Sequence, residues 1–193
     1  MIAMKQLKFL LFLALCAIAV PKTLAETVSG TCGTNLSWTL DTETGEMIIE
    51  GSGTMVSYSS SPKTPWYSYM SSINKVIVKP GVTSIGSYAF YNCSSLVSVT
   101  LPEGVTSVEA GAFFECPSLE SISIPDSLDT IVSVFSGCDS LQYNEFDNGY
   151  YLGNETNPYV MLMKAKSTSI TDCTINENTK IIYVGAFSGC RSL

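Results

Sequence analysis

The sequence predicts a β-rich α/β solenoid: a right-handed stack of coils of about 23 residues, opened by an N-terminal β-hairpin cap and carrying one hairpin insertion. Three observations lead there. Residues 85–101 (IGSYAFYNCSSLVSVTL) are written again 23 positions on, as residues 108–124 (VEAGAFFECPSLESISI). The landmarks return twice more, as Ile131, Phe135, Cys138 and Leu141, and as Ile182, Ala186, Phe187, Cys190 and Leu193. Within each copy apolar and polar residues alternate over a short run, the period of a strand with one buried face.

Taken in order, residues 1–25 read as a signal peptide. Lys5 and Lys8 form its basic start, residues 9–20 are an unbroken apolar run, and Leu24-Ala25 precedes a cleavage point at Glu26. That run is shorter than the roughly 20 residues a membrane helix needs, so no membrane insertion is expected after cleavage. Leu36-Ser37-Trp38-Thr39-Leu40 alternates, residues 41–46 are turn-rich, and Met47-Ile48-Ile49 resumes. This is a hairpin, expected to cap the stack, since a first coil without a cover would leave its core open to water. Residues 57–65 read as a loop with Pro62 and Pro65. A degenerate first copy follows, which a shift of 23 places with Tyr67 on Phe90, Met70 on Cys93 and Ile73 on Leu96.

In a full unit Leu96, Val99 and Leu101 point inward from a strand ended by Pro102, and Ser98 and Thr100 point out. Val105 and Val108 re-enter the core, and Ala89-Phe90 with Cys93 plug the far side as a short helical turn. Between the third and fourth copies about six residues are added, and residues 149–164 read as strand, turn, strand, a hairpin set to the side. Ile170, Cys173, Ile175, Thr179 and Ile182 are then expected to resume the register 74 beyond the second copy. The division expected is therefore 26–72 for the cap and degenerate copy, and 73–193 for the repeats. The insertion covers about 147–166. The last repeat stops at Leu193, the residue that opens a strand, as in a fragment of a longer array.

The unit I-x-x-x-A-F-x-x-C-x-S-L-x-x-V-x-L-P resembles the BspA-like class of leucine-rich repeats, found on microbial surface proteins. The resemblance covers roughly residues 72–193, with a one-residue deletion in the third copy and a longer segment before the fourth. It implies adhesion to host extracellular-matrix proteins or to other microbial cells, through a protein or glycan partner.

Charge and chemistry narrow the rest. Without its first 25 residues the chain has 7 basic and 17 acidic residues, a net charge of −10, the wrong sign for a nucleic-acid partner. Six cysteines remain, four at one repeat position, Cys93, Cys116, Cys138 and Cys190. Stacked about 4.8 Å apart with parallel Cβ vectors, they read as a buried thiol ladder rather than as disulfides. Histidine is absent, which removes imidazole catalysis and imidazole metal ligands together. Glu43/Glu46 and Asp126/Asp129 fall in turns, and Lys164 or Lys166 beside Ser167 makes a poor Ser–Lys pair, so no catalytic residue, metal site or cofactor is expected. The clusters Trp66-Tyr67-Tyr69 and Tyr150-Tyr151-Tyr159 read first as plugs of the first coil and the hairpin seam. Asn35, Asn92 and Asn154 open glycosylation patterns that matter only in a eukaryotic host. The binding face expected is the outward strand row: Lys75 and Ile77, Ser98 and Thr100, Ser121 and Ser123, Asp172 and Thr174. The leading function is a secreted or surface-displayed binding module; the alternative is a structural spacer holding another domain away from the cell wall.

Overall fold

The computed structural model describes residues 26–59 and 64–193. The expected signal peptide and residues 60–63 of the expected loop lie outside the described residues. Parallel pairing at a fixed offset dominates the fold. Strands β1 (Thr27–Gly33), β2 (Leu36–Asp41) and β3 (Glu46–Gly51) form an antiparallel meander. From β3 the sheet continues in parallel through β5 (Lys75–Val78), β7 (Ser98–Thr100) and β9 (Ser121–Ser123), six strands in all. Lys75 faces Ser98 and Ser98 faces Ser121, each step 23 residues.

A second parallel sheet runs β4 (Gly53–Thr54), β6 (Val82–Ile85), β8 (Ser107–Val108) and β10 (Thr130–Ile131). The apolar residues read as inward from both strand lines are buried: Leu96, Val99, Leu101, Val105 and Val108, with their counterparts in the next copy. The N-terminal strand pair expected from alternation is present, and β1 adds to it. Gly30 is needed in β1, because a Cβ there would meet the Trp38 ring at 2.8 Å.

One part of the expected class is corrected. Among the described residues there is no α-helix, only a 3-10 turn at Tyr67–Tyr69. The reason lies in the A-F-x-x-C turns. Each carries two left-handed residues four apart, Tyr88 and Asn92 (φ 54° and 58°), Gly111 and Glu115, Ser133 and Gly137, Gly185 and Gly189. Such residues interrupt any helical run before a full turn can propagate.

Those turns build a column of stacked rings. Trp66 stacks on Phe90 at 5.5 Å, Phe90 on Phe113 at 5.4 Å with planes 4° apart, and Phe113 on Phe135 at 6.2 Å and 8°. The first seat thus belongs to Trp66, whose indole N–H donates to the Ala89 carbonyl at 3.0 Å; Tyr67, expected there, is 55% exposed. Beside the rings, the Cys116 thiol donates to Phe90 O at 3.1 Å and Cys138 to Phe113 O at 3.0 Å. The six cysteines among the described residues are free thiols. Burial pushes Cys93 up to about 12, and the hydrogen bond with the Cys138 thiol, helped by burial, raises Cys116 as well, so neither forms a thiolate at neutral pH.

Beyond Leu141 the repeat changes. The added residues form β11 (Asn144–Phe146), β12 (Gly149–Leu152) and β13 (Met161–Ala165), which pair antiparallel. β13 does not hang aside. It pairs in parallel with β14 (Ile181–Ile182), and Val160 O accepts from Lys180 N and Ile181 N as Thr106 O does from Asp129 N and Thr130 N. The insertion itself therefore supplies a strand to the sheet, and Val160, Met161 and Leu162 are buried with it.

Three expectations fall with that. Ile175 and Ile182 are 39% and 53% exposed rather than inward, Ile182 because β14 is the outermost strand of its sheet. Phe187 leaves the ring column and packs, half-buried, by Tyr151, Leu162 and Ala186. Cys190 is only partly buried, its thiol donating to Ser167 O at 3.6 Å, so three of the four ladder positions are buried.

Candidate functional site

Strand alternation places Lys75, Ile77, Ser98, Thr100, Ser121 and Ser123 on the outer face of β5, β7 and β9, in two rows. One row is Lys75–Ser98–Ser121 and the other Ile77–Thr100–Ser123. Adjacent members sit on strands about 4.8 Å apart. The hydroxyls of Ser98, Thr100, Ser121 and Ser123 make no hydrogen bond to any described residue, so all four are available to a partner. Asp172 and Thr174 are not on this face. The segment 171–180 forms no strand and is held to the β11–β12 turn, where Asn148 Nδ2 donates to Asp172 O at 3.0 Å and Thr174 N donates to Asp147. The shift of 74 that placed them counted the insertion as a side branch.

The face also extends where the sequence reading did not follow it. Through β3 the rows continue to Glu46 and Ile48, and through β2 to Thr39. Glu46 pairs with Lys75 at 3.0 Å on the open surface, a contact that orients more than it stabilises. Alternation in Met47-Ile48-Ile49 could have found Ile48, had the cap been read as one sheet with the repeats.

The insertion gives the face a wall. Gly153 O accepts from Ile124 N at 2.9 Å, just past β9, so the turn 153–158 stands over the end of β7 and β9. Between them lies a cleft of about 860 Å³, lined by the four free hydroxyls, Asn144, and turn residues including Asn154, Glu155 and Thr156. Asn154 holds the turn in shape. Its Oδ1 accepts from Thr156 N, Thr156 Oγ1 and Asn157 N at 2.8–3.0 Å, while its Nδ2 donates to Ile124 O. Asn157 Nδ2 donates to Asp126 Oδ1 at 2.9 Å, and Lys180 Nζ lies 3.3 Å from the same carboxylate. Both hold the Asp126 carboxyl below the usual carboxylate range, the Asn157 donor more than the ammonium.

Glu103 is occupied, its carboxylate accepting from Asp126 N and Ser127 N. Glu155 is exposed and takes part in no hydrogen bond or ion pair with a described residue. The cleft offers hydroxyls, amides and a free carboxylate but no aromatic ring. Of the two aromatic clusters, Trp66 and Tyr151 are buried, in keeping with their reading as plugs.

A family model described as "BspA type Leucine rich repeat region" matches residues 64–193 in six copies. The chain belongs to this family. Six copies are two more than the four in which the landmarks recur, and the matched residues take in the degenerate copy at Trp66. The BspA-type chain is similar to the crystal structure of a leucine-rich repeat protein from Eubacterium ventriosum. That match has a TM-score of 0.50 and 20% identity over 85% of this chain and 57% of the other. A leucine rich cell surface protein from Faecalibacterium prausnitzii matches at a TM-score of 0.36 and 20% identity, over 87% of this chain and 54% of the other. The chain spans just over half the length of both. No curated protein matches it. Leucine-rich repeats of this kind are interaction scaffolds. Among the described residues no three Cys, Asp or Glu side chains gather as metal ligands, and no helix is long and apolar enough to cross a membrane.

Proposed function

We propose that the chain is a binding module, secreted or displayed on the cell surface once residues 1–25 are removed. Its ligand is a protein or glycan on host matrix or on neighbouring cells, and residues 73–193 wind as a right-handed solenoid beneath a cap and degenerate coil at 26–72. One observation carries this reading: four hydroxyls with no internal partner lie in register and open onto a cleft whose far wall is pinned by Asn154 and Asn157. Free hydroxyls on a rigid frame lose little conformational freedom on binding, which is the economy of a pre-organised site. Lys75, Ile77 and the face of β3 extend the contact area along the rows. Asp172 and Thr174, beside the β11–β12 turn, form no part of that surface.

The test is saturable binding of the purified chain to immobilised matrix proteins, measured by surface plasmon resonance. Replacing Ser98, Thr100 and Ser121 together by lysine should weaken binding at least tenfold, because each lysine fills a hydroxyl seat. Thr130→Lys, on the other sheet, should leave it unchanged. No saturable binding to any matrix protein or microbial cell would favour the spacer instead.

A further inference from the structure

A second cleft, of about 490 Å³, opens where the ring column stops, and it shares no residue with the strand-face cleft. The column is continuous through Trp66, Phe90, Phe113 and Phe135, and a fifth ring in register would lie about 6 Å beyond Phe135. No ring takes that seat parallel to the others. Tyr183 leans in at 6.0 Å with its plane 44° off, fixed there because its hydroxyl accepts from Val134 N at 2.7 Å. The space left over is lined by Phe114, Phe135, Tyr143, Met163 and Tyr183, with Lys164 at its rim.

Lys164 sets the charge. Its ammonium lies 4.6 Å above the Tyr143 ring and 5.6 Å from that of Tyr150, and it joins no ion pair with a described residue. Its neighbour Lys166, by contrast, is neutralised by Glu145 at 2.8 Å. On a chain with a net charge of −7, an ammonium beside an aromatic slot that joins no ion pair is a cation open to a partner's anion. We propose that this cleft takes an aromatic side chain of a protein partner with a carboxylate beside it: the ring packs against Tyr183, Tyr143 and Met163 at the end of the column, and the carboxylate meets Lys164. Ring stacking supplies most of the attraction and the rim charge selects the neighbour.

The probes are three acetylated, amidated tetrapeptides: tryptophan followed by glutamate, tryptophan followed by lysine, and alanine followed by glutamate. Binding is followed by NMR shifts of Tyr143, Met163 and Tyr183. The tryptophan–glutamate peptide should shift these resonances and bind about threefold more tightly than its lysine twin. The alanine peptide should not bind. Lys164→Gln should abolish the preference while keeping the ring's shifts, and Ser136→Phe, which fills the cleft from its rim, should abolish both. Equal affinity of the two tryptophan peptides for the native chain overturns the proposal. So do shifts that miss this cleft, or binding that survives Ser136→Phe in a chain whose spectrum is otherwise native.

Discussion

The repeats around Phe90 and Phe113 and the segment after Leu141 share one motif but are held together differently. In the first, rings and thiols stack at 0% exposure, and the strands keep a single offset. In the second, the aromatic seat is given up, and polar side chains tie the parts: Asn154 to Ile124, Asn157 to Asp126, Asn148 to Asp172. Apolar stacking tolerates repetition because it needs only shape and area, whereas an inserted strand must have each new backbone group met by a specific donor or acceptor.

Truncating matched rings would break this contrast most visibly. Phe113→Ala should cost about 4 kcal/mol, since a fully buried ring leaves a cavity between two others. Phe187→Ala, half-buried outside the column, should cost about 1 kcal/mol. Urea denaturation of the two variants decides; equal losses would mean that Phe187 bears on the core as much as Phe113 does.

Next comes the polar tie. Asn157→Ala removes the donor to Asp126 and should loosen the 153–158 turn by about 2 kcal/mol, read as faster exchange of the backbone amides at Ile124 and at position 157. Amides of β7 should hardly change. Comparable acceleration in both places would show that the insertion and the regular coils open as one unit.

Acid should do the same more gently. The Asp126 carboxyl is held below its ordinary value in the folded chain, so its contribution is complete above about pH 4 and is lost as pH falls through the lower folded value. Exchange in the 153–158 turn should therefore rise as pH drops from 5 towards 3, after correction for intrinsic rates. In Asp126→Asn that extra rise should vanish. A rise that persists in the variant would assign the acid response to another carboxylate.

Much of the fold was legible because repetition multiplies a weak signal. Val99 alone could lie in any strand, but Val76, Val99 and Ile122 at one spacing admit one face and one register. The same logic failed after Leu141. Counting from Leu96 to Ile170 preserved the spacing of side chains but could not tell whether residues 149–164 lie beside the coil or within it. The difference is made by pairing, Val160 with Lys180 and Gly153 with Ile124, and pairing between distant segments leaves no period to read. Six of the eight expected face residues are on the sheet for the first reason, and Asp172 and Thr174 are off it for the second. The wall of the cleft escaped for a simpler cause: Asn154 and Asn157 look like any turn asparagines until their partners Ile124 and Asp126 are known.

The smallest effect concerns the feature both regions share, the two left-handed residues per turn. Tyr88, Gly111, Ser133 and Gly185 hold the first position; Asn92, Glu115, Gly137 and Gly189 hold the second. Glycine meets this need freely, and other residues do so at a cost of about 1 kcal/mol. Glu115→Gly should thus stabilise by at most about 0.5 kcal/mol, the gain being offset by a more flexible unfolded chain. Gly137→Ala should destabilise by about 1 kcal/mol, because its φ is 78° and its new Cβ would lie 3.0–3.1 Å from Glu115. In the Glu115→Gly background the side-chain part of that clash is gone, so Gly137→Ala should cost less there. A double-mutant cycle that sums to zero would separate the turns of adjacent coils and confine their coupling to the rings and thiols between them.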